Sequence, residues 1–228
     1  MNNTIQTNKS KPLFSPEIFF FSLLLTLLLS WIGFILLQII SSKQTSLGNK
    51  NKKTSTGKLD IKSSYFYLLT IMLWCCISTF GIFPSLQPFS SLPYGRTTLH
   101  YVVLVASVSY PSGCSLAMFF KAKSMFSINI LTIFGSLMSF YILVCAYQSP
   151  NPIFKQTSFG GILMIISWLL FTLTLSYVKT IITIIMSESN GSNGLFLIGM
   201  ITQFGAAIGA AAIFLVINLT DIFKEEKC

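Results

Sequence analysis

The stretch GGILMIISWLLFTLTLSYVKTIITIIM, Gly160 to Met186, decides how this chain folds. It exceeds the about 20 apolar residues that a helix needs to cross a bilayer, and its single formal charge is Lys179. Backbone groups in hydrocarbon must bond within their own segment or within a closed barrel, so a continuous apolar run of this length is read as a membrane helix.

Working outward, comparable runs are expected at about Ile18 to Ile40, Tyr65 to Phe83, Leu99 to Phe119, Met125 to Tyr147 and Leu195 to Phe223. The chain is therefore expected to be an all-α polytopic membrane protein with about six transmembrane helices. Composition agrees: hydrophobic residues are 53% and charged residues 9% of the chain, against roughly a quarter charged in soluble domains. Three parts are expected: residues 1–40, a polar amino terminus with one helix; 41–64, a basic, disordered linker; and 65–228, a bundle of five helices. The polar start from Met1 to Pro16 shows no cleavable signal pattern.

Cations set the expected orientation. Lys43, Lys50, Lys52, Lys53, Lys58 and Lys62, with Lys121 and Lys123, fall on one side; Lys9, Lys11, Arg96, Lys155, Lys224 and Lys227 fall on the other. The positive-inside rule puts the linker in the cytoplasm and the carboxyl terminus outside. With six linker lysines accounted for by orientation and anionic lipid, the net charge of +9 is no argument for nucleic acid.

Reactive groups are sparse. His100 is the one histidine, Glu188 is the sole acidic residue between Asp60 and Asp221, and the cysteines show no metal-ligand spacing. No catalytic set and no metal or cofactor site is expected; binding and moving a solute fits better than an enzyme.

Polar residues within the runs are then the ones to weigh. Gln203 either locks helix packing or lines a solute path. Gly205 and Gly209, in a G-x-x-x-G spacing beside Ala206 and Ala210, favour close helix contact with a partner inside or outside the chain. Lys179 either snorkels to the headgroups or closes the inner end of a path. Pro84, Pro88 and Pro93 are expected to end the second run in an irregular stretch, and Pro111 with Gly113 to interrupt the third.

The run from Phe80 through Phe83-Pro84-Ser85-Leu86-Gln87-Pro88 to Leu92-Pro93-Tyr94-Gly95-Arg96, followed by His100, resembles part of the animal riboflavin transporter family of solute carriers. Similar to it as well are Ile166-Ser167-Trp168-Leu169-Leu170, Leu175-Ser176-Tyr177-Val178-Lys179 and Gln203-Phe204-Gly205 with Gly209-Ala210. The resemblance implies a multi-pass plasma-membrane carrier that moves riboflavin facilitatively and without a cofactor. It also implies alignment with the last six of eleven helices in a two-half carrier, the first five being absent. A missing amino-terminal half or a full-length carrier is then an implied partner, beside riboflavin and the bilayer. The alternative is a non-transporting half-carrier that binds or regulates full-length ones.

Expected solute or gate contacts are Gln87, Tyr94, His100, Trp168 and Gln203, with Arg96 and Lys179 shaping the outer and inner mouths. The sequence departs from the family pattern at Phe80 and Tyr110, where relatives commonly carry Asn. At Asn151 relatives often have Cys, which would leave Cys228 without that partner.

Overall fold

An apolar chain that must satisfy its own amides becomes helical, and among the described residues every regular element is a helix. The computed structural model describes residues 16–47, 61–121, 124–152, 154–155 and 157–220. The chain divides into two compact units, Met1–Ser55 and Thr56–Cys228.

The first unit holds α1, Pro16–Leu47. Proline suits the first helical position, where its missing N–H is not needed, and Glu17 places a carboxylate beside the positive end of the helix dipole. Apolar side chains from Phe20 to Trp31 lie exposed, as a helix that is apolar all round requires of a lipid environment. Since α1 runs to Leu47 and the next helix begins at Ile61, helix occupies both ends of the stretch expected as linker; 48–60 lies outside the described residues.

The second unit begins with α2, Ile61–Cys76, which passes through a π-helical segment, Ile77–Ile82, into α3, Phe83–Ser91, and a tight 3-10 turn, Leu92–Tyr94. Then come α4, Arg96–Phe119; α5, Met125–Tyr147; and α6, Ser158–Leu219. The prolines do not break the second run as expected. Pro84 falls in the first turn of α3, where an N–H is dispensable, and Phe83 N–H reaches back five residues to the Ser78 carbonyl. The chain turns at Gly95 instead, whose φ of +112° is open to a residue without Cβ.

Pro111 likewise leaves α4 continuous. Around it the hydroxyls of Ser107, Ser109, Ser112 and Ser115 each donate to the carbonyl four residues earlier, so none competes with the helix for a partner outside it. Gly113 marks a close approach, since a Cβ there would lie 2.1 Å from Ser176 Oγ.

An unbroken α6 would be about 90 Å long at roughly 1.5 Å per residue, three times the hydrocarbon core. It is in fact two arms, 158–190 and 192–219, because Gly191 sits at φ +55°, ψ −130°. Along α2 and α3, Thr79 meets Lys179 and Phe83 meets Phe171, whereas Cys76 meets Gly205 and Gly81 meets Gly209. One arm therefore runs against α2 and the other with it.

Neighbouring contacts complete the alternation. Tyr67 pairs with Asn129 and Trp74 with Ser136, so α5 runs parallel to α2; Thr98 meets Gly161 and Gly113 meets Ser176, so α4 runs parallel to the first arm. The start of α2, the end of α4, the start of α5 and Gly191 thus share one end of the bundle.

The first arm of α6 is the centre. Met164, Trp168, Phe171, Leu175, Val178 and Ile182 recur at three- and four-residue spacing and are buried. Small residues let neighbours close on it: a Cβ on Gly135 would lie 2.7 Å from the Leu175 side chain. The Gly205 and Gly209 face packs inside the chain, with a Cβ on Gly209 only 2.6 Å from the Ile77 carbonyl oxygen.

Candidate functional site

Three elements of the second unit frame a cleft of about 230 Å³. α3, with the π-helical segment before it, supplies Thr79, Pro84 and Gln87; α4 supplies Val103, Ala106, Ser107 and Tyr110; the first arm of α6 supplies Trp168, Phe171 and Thr172. On α4 these positions follow i, i+3, i+4 and i+7, and on α6 they follow i, i+3 and i+4, so each helix turns one face to the cleft. The volume falls below the roughly 300–1,000 Å³ of complete ligand sites, as expected for a cleft open on one side.

The aromatic wall is tightly packed. Phe83 meets Phe171 tilted at 47°, 4.6 Å between centroids, and Trp168 meets Phe171 edge-on at 5.8 Å. Trp168 is 3% exposed, and its Nε1 is buried without a hydrogen-bond partner.

Three hydroxyls of the lining are already committed as donors. Thr79 Oγ1 donates to the Cys75 carbonyl, Ser107 Oγ to that of Val103 and Thr172 Oγ1 to that of Trp168. Their oxygens keep acceptor capacity. The Gln87 carboxamide adds both a carbonyl acceptor and an N–H donor at the upper rim.

Beneath the cleft lies Lys179, 5% exposed and the only buried cation among the described residues. Its Nζ donates to Thr79 Oγ1 at 2.7 Å and stands 3.8 Å from the Phe80 ring centroid and 4.8 Å from that of Tyr110. The two rings are themselves 5.9 Å apart. The side chain is thus caged between helices and does not snorkel. The π-helical turn helps to place Thr79 and Phe80 on the side that meets it.

Of the residues singled out from sequence, Gln87 and Trp168 line the cleft, and Lys179 touches its floor through Thr79 and Tyr110. Tyr94 is half-buried elsewhere, its hydroxyl 3.6 Å from Cys145 Sγ and its ring against Gly160. Arg96 and His100 are exposed on the first turns of α4. Gln203 is exposed on the second arm of α6, away from the cleft. Thr79, Ser107, Phe171 and Thr172 were not singled out. Their helical spacing was legible, but which face turns inward depends on the neighbours.

The sequence model of solute carrier family 52, riboflavin transporter, matches residues 44–225. The chain is 35% identical over 159 residues to "Riboflavin transporter 2" of Salmo salar, covering 70% of this chain and 34% of that protein. It is 32% identical over 164 residues to member 3-B of the family in Danio rerio, covering 72% and 36%. To member 1 of Homo sapiens it is 33% identical over 161 residues, covering 71% and 36%. The chain spans about a third of the length of these curated relatives. No solved structure matches it.

Proposed function

The chain belongs to solute carrier family 52, the riboflavin transporters, and on that premise we propose that it forms part of a facilitative riboflavin carrier whose solute rests in the cleft between α3, α4 and the first arm of α6. The observation that carries this reading is the pairing of a fixed aromatic wall, Trp168 and Phe171, with the Gln87 carboxamide across one cleft. A flavin ring is flat and apolar on its faces and carries carbonyl and imide groups at one edge. An amide side chain can accept from an imide N–H and donate to the adjacent carbonyl, while the apolar lining of the cleft receives the ring. The acceptor oxygens of Thr79, Ser107 and Thr172 suit ribityl hydroxyls. No bond is made or broken in such a cycle, in keeping with a family of transporters.

The open side of the cleft supports completion by further helices. The chain is read as the last six of about eleven spans, and alternation of access by rocking two halves around a shared site needs both. The same reading places the carrier in the plasma membrane, with the linker cytoplasmic and the carboxyl terminus extracellular. The rival, a half-carrier that docks on full-length relatives through Gly205 and Gly209, loses its proposed surface, since that face packs on α2 and the π-helical segment.

Uptake of labelled riboflavin tests the reading in cells of low background, with this chain, the same chain joined to five upstream helices of a relative, and empty vector at matched surface abundance. Uptake by the joined protein alone is expected. Uptake by neither would sink riboflavin as the solute, and uptake by the short chain would sink the two-half account.

A further inference from the structure

The floor of the cleft is polarised in one direction. Thr79 and Tyr110 both line the cleft, and both are in contact with the Lys179 amine, which is not itself among the lining groups. Among the described residues that amine has only uncharged partners: a hydroxyl and two aromatic faces. The titratable side chains of the neighbouring helices that face it are the thiols Cys75, Cys76 and Cys114. A ligand resting on Thr79 therefore lies within one side-chain layer of a buried positive charge that no carboxylate among the described residues pairs with, where Coulomb interaction exceeds its strength in water.

We propose that Lys179 sets the charge selectivity of the cleft: flat ligands that are neutral or anionic are accepted, and cationic ligands of the same shape are refused. The proposal rests on the carrier reading for the place of the ligand, but it concerns a property that the wall residues Trp168, Phe171 and Gln87 do not determine. Lys179 acts here through Thr79 and Tyr110 as a specificity-determining group and does not itself line the cleft.

The test uses the whole chain in lipid nanodiscs and three fluorescent tricycles: riboflavin, uncharged acridone and proflavine, a cation at neutral pH. Acridone is expected to bind at least about tenfold more tightly than proflavine. That ratio should collapse toward one in Lys179→Met and persist in Lys179→Arg, which keeps the charge. Thermal unfolding of each variant identifies those that are folded. Wild-type protein that binds proflavine as tightly as acridone overturns the proposal with no variant needed, as does an unchanged ratio in folded Lys179→Met. Preference for acridone without any binding of riboflavin would sink the flavin reading and leave the charge filter standing. Failure of acridone and riboflavin alike would remove both.

Discussion

Lys179 and Phe80 meet face to face across two helices, the amine 3.8 Å from the ring centroid. Neither position announces the other in sequence, being almost a hundred residues apart, yet a lysine this deeply buried needs either a carboxylate or electron-rich faces. Phe80, with Tyr110, supplies the faces. The two are one feature in space: two rings closing on one cation.

That relationship yields a coupling energy. Phe80→Leu is expected to destabilise the folded protein by about 1–2 kcal/mol, the range of a desolvated cation–π contact. In a double-mutant cycle with Lys179→Met the same substitution should cost much less. Equal losses in both backgrounds, read by thermal unfolding in detergent, would show that the ring serves packing alone.

Close packing of the second arm gives a sharper contrast between glycines. A Cβ on Gly81 would sit 2.5 Å from Gly209 Cα, whereas one on Gly199 meets nothing within 4 Å. Gly81→Ala should lower stability by about 1–3 kcal/mol, the usual cost of overpacking, and Gly199→Ala should fall within about 0.5 kcal/mol of wild type. Comparable melting temperatures for the two variants would contradict the helix contact.

Binding separates the two glutamines. Gln87 lines the cleft and Gln203 lies exposed on the second arm of α6. Loss of a bidentate amide contact in Gln87→Leu should weaken riboflavin binding about tenfold, near 1.4 kcal/mol, while Gln203→Leu stays within about twofold. Quenching of riboflavin fluorescence on titration decides it, and the reverse order would move the site to the second arm.

Trp168 combines a packing role with an orphaned donor. Trp168→Ala should cost about 3–5 kcal/mol through the cavity it leaves. In Trp168→Phe much of the ring contact survives, and an N–H that lacks a partner is removed, so the loss should stay below about 1.5 kcal/mol. A phenylalanine variant as damaged as the alanine one would mean that Nε1 is satisfied after all.

Hydropathy along the chain was enough for the helical class and the position of the runs, because hydrocarbon leaves a spanning chain almost no alternative to helix. Sequence alone misjudged Pro84 and Pro111, since Pro84 falls in the first turn of α3, where its missing N–H costs little, and α4 runs on through Pro111. It left Lys179 open between headgroup and path, and left Gly205 and Gly209 open between inner and outer partners. Tertiary structure sets the Lys179 amine against Thr79, Phe80 and Tyr110, and the Gly205 and Gly209 face against α2 and the π-helical segment. Which face of a helix is buried, and against what, is a property of neighbours that meet only after Gly191 lets the two arms of α6 fold back on α2. An almost uniformly apolar helix has no polar side to reveal that face in advance.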